Sequence, residues 1–228
     1  MEPATGWLVD RLGIEFSDPG LLGRALTHRS FGAANNERLE YLGDAVLSFV
    51  VAEMLFRRFP DASEGELSRY RASLVSGEAL APIAASLGLG EQLRLGDGEM
   101  KSGGHRRATI LADALEAVFG AIYLDQGLDA ARRVAERLFN DALTVLPTAA
   151  ELKDPKTKLQ EWLQGRGHAL PAYTVLEVSG EPHEQLFRVR CDVPELALTA
   201  TADGSSRRRA EQEAAQRILE DPALRSAR

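Results

Sequence analysis

The segment Asn36-Glu37-Arg38-Leu39-Glu40-Tyr41-Leu42-Gly43-Asp44 carries three acids whose spacing could do chemistry. At about 100° per helical residue, Glu37, Glu40 and Asp44 fall within about 60° of one another on one face. Such a stripe is ordinarily solvated. Here the helix continues as Ala45-Val46-Leu47-Ser48-Phe49-Val50-Val51-Ala52, apolar almost all round. An all-apolar helix is expected to be buried, so the acids are expected to point into a cleft. A second helix repeats the theme. Between Ala108 and Leu124 the only charged residues are Asp113 and Glu116, one turn apart among Ala112, Ala114, Ala117, Gly120 and Ala121. Small residues there let another helix approach closely.

If the two helices pack, Glu40, Asp44, Asp113 and Glu116 converge. Carboxylates out of water protonate, find a cation or bind a metal. An all-oxygen set without His or Cys suits a hard ion, Mg²⁺ or Mn²⁺. Mg²⁺ also takes substrate phosphate, which is the equipment of phosphodiester hydrolysis. From spacing alone the alternative stands: the acids could pair with Arg38, Arg69 or Arg71 and merely hold helices together. A di-iron carboxylate bundle needs Glu-x-x-His, and none of His28, His105, His168 and His183 has a Glu three residues earlier. Cys191 reads as a small strand residue, not a nucleophile.

The positioning elements follow from periodicity and turn signals. Three- and four-residue apolar spacing predicts helices near 3–12, 19–24, 36–58, 63–75, 77–88, 105–125 and 128–146, with a loop from Gly88 to Gly104. Beyond Pro147 the texture shifts. Asp154-Pro155 starts a helix that runs to about Gln164. Strand-like stretches follow at Ala172–Val178, Gln185–Cys191 and Leu196–Ala202, then a helix from Ser206 to about Glu220. The fold class is therefore an all-helical domain, 1–148, a linker, 149–153, and a small α-β-β-β-α domain, 154–224.

Composition bounds the function classes. The chain has 228 residues, 44% hydrophobic and 27% charged, which excludes a disordered or fibrous chain. Its one cysteine excludes an internal disulfide and a Cys-based zinc site. The start lacks a basic, apolar leader, and no uncharged run approaches the roughly 18 residues of a spanning helix, so a cytoplasmic location is expected. The net charge is −7. Whole-chain acidity argues mildly against nucleic acid, yet the excess sits in the first part and Arg207-Arg208-Arg209 opens the last helix. Cations there oppose the helix dipole, and a bound phosphate would remove the conflict.

The nonamer at 36–44 resembles the signature of bacterial ribonuclease III. So do Leu26-Thr27-His28-Arg29-Ser30, Glu64-Gly65-Glu66-Leu67-Ser68 and Leu111-Ala112-Asp113-Ala114-Leu115-Glu116-Ala117, in the same order. The tail resembles a double-stranded-RNA-binding domain. The resemblance implies a homodimeric, Mg²⁺-dependent endoribonuclease (Mn²⁺ substituting) that cleaves double-stranded RNA, leaving 5′-phosphate and 3′-hydroxyl ends with short 3′ overhangs. It implies processing of ribosomal RNA precursors and some messenger RNAs. Glu40, Asp44, Asp113 and Glu116 match metal and catalytic positions, with Asp44 and Glu116 the catalytic pair. Glu37 and Glu64 match accessory acids. Thr157, Gln160, Glu161, His183, Arg207 and Arg208 resemble RNA contacts. The alternative is a non-catalytic RNA-binding protein on the same scaffold. This chain departs from the pattern at Tyr41, where Phe is common, at Ala202, where Gly is common, and at Glu211. A third basic residue is common at the last position, and an acid there is expected to trim phosphate affinity.

Overall fold

The apolar run after Asp44 can be helical on every side only if its faces find partners. In the computed structural model, which describes residues 11–181 and 184–226, one face finds them at once. The chain divides into two units, Met1–Leu152 and Lys153–Arg228. The first is helical: α1 Pro19–Ala25, α2 Glu37–Arg58, α3 Glu64–Leu74, α4 Gly77–Ser86, α5 Leu89–Gln92, α6 Asp97–Lys101 and α7 Ala108–Thr144. The core lies between α2, α4 and α7. Leu47, Val50, Val51 and Leu55 of α2 are buried in one cluster with Leu115, Phe119 and Ile122 of α7. Burying each such side chain contributes about 1.5–3 kcal/mol.

Two glycines set the distance between α2 and α7. A Cβ on Gly43 would lie 1.7 Å from the Glu116 carbonyl oxygen, and one on Gly120 would lie 2.3 Å from that of Leu39. The helices therefore touch backbone to backbone, as the small-residue run in α7 predicts. Start signals also act locally. Ser63 and Glu66 form a reciprocal capping box on α3, and the Asp18 side chain caps α1.

Some expectations change. The helices expected at 105–125 and 128–146 are both present, as the two arms of a kinked α7 that spans Ala108 to Thr144, the first starting three residues later than expected. The kink falls near the expected junction, at Gly127, whose φ of 78° and ψ of −175° leave the helical region. A 3₁₀ turn occupies Gly104–Arg106 before it. The segment Gly88–Gly104 is not a plain loop: it holds α5 and α6, and Arg94 bridges to Thr27. The Arg94 N–H donates to the Leu26 carbonyl at 2.8 Å, and the His28 N–H to that of Arg94 at 3.0 Å. Pairing with Leu26–His28 is a long-range contact that local pattern cannot show. Nor is α2 buried all round: Tyr41, Phe49 and Phe56 are 81%, 55% and 70% exposed. The helix expected at 3–12 lies mostly outside the described residues.

The second unit contains α8 Pro155–Gln164, β1 Ala172–Ser179, β2 Leu186–Val193, β3 Leu198–Gly204, α9 Arg207–Glu220 and a short α10 Pro222–Ser226. The sheet is antiparallel in the order β1-β2-β3. Val189, Cys191 and Val193 alternate inward. Cys191 and Val193 pack, with Ala202, against Leu159, Leu163, Ala214 and Ile218 of the helices. The third strand begins two residues later than expected. A 3₁₀ turn takes Pro194–Leu196, and Ala197 sits at φ 52° before the strand starts. No helix among the described residues is long and apolar enough to cross a membrane.

Gly127 has open space where a Cβ would stand but a positive φ, whereas Gly98 in α6 has open space and no such strain. Gly127→Ala should therefore cost about 1–2 kcal/mol in urea unfolding, and Gly98→Ala should be neutral or stabilising by a few tenths to about 1 kcal/mol. Equal effects at the two positions would show that the break at Gly127 is not held by its backbone conformation.

Candidate functional site

Gly43 and Gly120 bring together the acids that flank them. Glu40 lies one turn before Gly43 on α2, and Glu116 one turn before Gly120 on α7. Asp113 lies a further turn back. Carboxylate oxygens of Glu40, Asp113 and Glu116 all come within 4.8 Å of one another. Asp44 stands beside this trio rather than in it. It is exposed, and the Ser48 hydroxyl donates to it at 3.4 Å. Its charge still reaches Glu116.

The electrostatics follow from burial and crowding. Burial, then the charges of Asp44, Asp113 and Glu40, push the Glu116 carboxyl up to about 7. Burial raises Glu40 as well, with Asp113 and Glu37 adding to it and Arg29 opposing. Burial raises Asp113 against the pull of His28 and Arg29. Arg38, Arg69 and Arg71 do not neutralise the group. Among the described residues, none of the four acids lies within ion-pairing distance of a Lys or Arg. Half-buried like charges with no ion-pairing partner, and only the more distant pull of Arg29 and His28, fit a divalent cation, and their all-oxygen chemistry fits a hard one.

Beside the trio opens a cleft of 290 Å³ whose lining includes His28, Arg29, Glu37, Glu40, Arg107 and Asp113. Glu37 is on its rim, 3.5 Å from Arg29 and hydrogen-bonded to Asn35. Glu64 is exposed at the start of α3, outside the lining of this cleft, and accepts from the Ser68 hydroxyl at 2.7 Å. Sequence reasoning misses the other walls. Glu99 pairs with Arg107 at 2.7 Å, and both line the cleft. Glu99 falls in the stretch that the turn signals predict to be a loop, so nothing local marks the pair. His28 and Arg29 are visible only as part of a motif. The His28 ring is held by the Ser30 hydroxyl at 2.8 Å, and that hydroxyl also accepts from the Gly96 N–H at 3.0 Å. The α5–α6 segment thus fixes one wall of the cleft.

In the second unit, Thr157 is half-buried on α8, and its hydroxyl donates to the N-cap Asp154 at 2.7 Å. Gln160 and Glu161 are exposed, with Glu161 2.5 Å from Lys153. Arg207 and Arg208 are exposed in the first turn of α9, behind the N-cap Ser206. His183 lies outside the described residues. Cys191 is fully buried, and burial pushes its thiol up, as for an inert core residue.

The Glu116 shift has a signed consequence. Its ordinary value is 4.5, so between about 4.5 and about 7 the metal-free folded chain holds a proton that the unfolded chain has lost. Stability without metal should fall as pH rises through that window and level off above it. Glu116→Gln should flatten the fall in urea midpoints taken in chelator from pH 4.5 to 8. An equal slope in the variant would mean that Glu116 ionises normally.

Comparison with known proteins agrees with this arrangement. Residues 18–142 match the family described as Ribonuclease-III-like, and residues 155–221 match the double-stranded RNA binding motif. The chain is 58% identical over 212 residues to Ribonuclease 3 of Alkalilimnicola ehrlichii, covering 93% of each. It is 57% identical to Ribonuclease 3 of Methylococcus capsulatus, covering 93% of this chain and 92% of that protein. Among solved structures, the nuclease domain of ribonuclease III from Campylobacter jejuni superposes with a TM-score of 0.60 at 45% identity, covering 63% of this chain and 99% of that one. With the acids converging at the crossing of α2 and α7 and an α-β-β-β-α unit following in the chain, the protein belongs to the ribonuclease III family.

Proposed function

We propose that this chain is an Mg²⁺-dependent endoribonuclease that hydrolyses phosphodiester bonds in double-stranded RNA, leaving 5′-phosphate and 3′-hydroxyl ends with short 3′ overhangs. The observation that carries this reading is the crowded trio Glu40, Asp113 and Glu116, none of it ion-paired to a Lys or Arg among the described residues, with Asp44 beside it. A binding protein without catalysis has no use for such a group, because crowded half-buried carboxylates cost stability. The four acids would hold the ion. When bound, Mg²⁺ supplies a water of lowered pKa and screens the charge that develops on the phosphate. Mn²⁺, with similar oxygen chemistry, would substitute.

The chain's own groups do the rest. Glu116 and Asp44 are read as the catalytic pair; without the ion, burial and the neighbouring acids push the Glu116 carboxyl up to about 7, and a bound cation would favour its anionic form. Arg29, Arg107 and His28 on the cleft walls offer donors to the phosphodiester. Glu37 tethers Arg29 there. Glu64 is read as an accessory acid, although it stands apart from the trio. Arg207 and Arg208 would meet duplex phosphates, and Thr157, Gln160, Glu161 and His183 the minor groove, where double-stranded RNA is read by shape.

The exposed Tyr41, Phe49 and Phe56 on α2, with Leu124 of α7, support a homodimer. Large apolar side chains left in water at such spacing mark an interface. The Campylobacter jejuni nuclease domain is itself described in terms of a region involved in dimer formation. As the family resemblance of its motifs implies, the chain is read as a cytoplasmic enzyme that processes ribosomal RNA precursors and some messenger RNAs.

The test is Glu116→Gln, which keeps the side-chain shape and removes the anionic oxygen. Single-turnover cleavage of an RNA duplex in Mg²⁺ should fall at least about a hundredfold, or ~2.7 kcal/mol of transition-state stabilisation. Gel-shift affinity for the same duplex in chelator should be unchanged. Normal cleavage would return Glu116 to a structural role. Full activity of the unaltered chain after removal of divalent ions would overturn the metal-dependent reading.

A further inference from the structure

By charge alone, Glu211 should weaken phosphate binding simply by being an acid. Its surroundings assign it something more specific. It lies one turn after Arg207 on α9 and is only 7% exposed. Its two carboxylate oxygens are divided between two cations: Oε1 accepts from Arg207 Nε at 2.9 Å, and Oε2 from Lys156 Nζ at 2.6 Å. Lys156 is on the first turn of α8, so one carboxylate ties the starts of both helices. Burial opposes its charge, but Lys156 and Arg207 outweigh burial and hold Glu211 below the usual carboxylate range. It is therefore a fixed anion near neutral pH.

The bonds are made with a particular atom of each cation. Arg207 uses Nε, which leaves the four N–H groups of its terminal nitrogens uncommitted to Glu211. Its side chain is 65% exposed. Lys156 uses one of three donors, and its ammonium also lies 4.5 Å over the ring of Tyr173. Arg207 is thus anchored on one side and open on the other, while Lys156 is anchored between Glu211 and Tyr173 with a third of its side chain exposed. Anchoring removes rotamer freedom that binding would otherwise have to remove.

We infer that Glu211 is a positioning residue for duplex recognition, a buried carboxylate that orders Arg207 and Lys156 as a preformed pair of phosphate donors. This rests on the reading of Arg207 as an RNA contact. It makes a prediction opposite in sign to simple electrostatics. Removing a negative charge beside a phosphate site should tighten binding if charge alone matters. If Glu211 acts by ordering its partners, its removal weakens binding.

The experiment uses the full-length chain in chelator with an RNA duplex of about 20 base pairs, long enough for one such domain. Affinities are measured at low and at moderate salt for Glu211→Gln, Glu211→Asp, Arg207→Ala and the Arg207→Ala/Glu211→Gln pair. Glu211→Gln should bind about fivefold more weakly, and the loss should persist at moderate salt, where long-range charge effects are screened. Glu211→Asp keeps the charge but is one methylene shorter, cannot reach both partners, and should also weaken binding. In the Arg207→Ala background, Glu211→Gln should lose much of its effect. Tighter binding by Glu211→Gln, unaltered binding by Glu211→Asp, or full additivity with Arg207→Ala would overturn the inference. Loss of the cooperative melt in Glu211→Gln would also overturn it, by assigning Glu211 to the fold. If Arg207→Ala itself binds normally, the reading of Arg207 as an RNA contact fails instead.

Discussion

The contact between Gly43 and the backbone of Glu116 is the constraint on which the site depends. Helix axes usually stand apart by the length of the side chains between them. Here no side chain intervenes, because a Cβ at either glycine would overlap a carbonyl oxygen of the other helix. The acids one turn away on each helix are drawn together as a result. Leu47, Val51, Leu115 and Phe119 supply the apolar burial that holds the crossing shut. The core thus pushes like charges together, and the raised carboxyl of Glu116 records the cost. A divalent ion would turn that repulsion into attraction, so metal affinity is stored in the packing of two helices.

The second unit solves the complementary problem of meeting an anion. Arginines open α9 at the end where the helix dipole disfavours them, and Glu211 binds Arg207 and Lys156 from beneath. Gly204 permits the tight turn from β3 into α9, since a Cβ there would lie 2.4 Å from the Ala210 nitrogen. Both units have a close backbone approach allowed by glycine and, separately, charges held together by the packing of two helices.

Much of this is legible in the chain because it is local. Glu37, Glu40 and Asp44 at helical spacing, Asp113 and Glu116 without basic neighbours, and the small residues around Gly120 together imply two helices meeting at acids. Asp154-Pro155 and the alternation Phe187, Val189, Cys191 mark the second unit. What escapes is long-range. Arg94 pairs with Thr27, so Gly88–Gly104 is an organised wall and not a loop, and Glu99 and Arg107 enter the cleft with it. Periodicity also cannot tell a buried apolar face from an uncovered one, hence the exposed Tyr41, Phe49 and Phe56. Glu211 reads as a defect because its partner Lys156 is 55 residues away.

The most direct test of the central claim is the single-turnover cleavage rate of Gly43→Ala in saturating Mg²⁺, taken at a temperature where circular dichroism shows the variant folded. The added methyl group removes none of the acids and changes how closely the two helices that carry them approach. If the glycine contact sets the spacing of the carboxylates, displacement by about 1 Å should slow cleavage about a hundredfold. A folded Gly43→Ala protein that cleaves duplex RNA at the unaltered rate would contradict the claim.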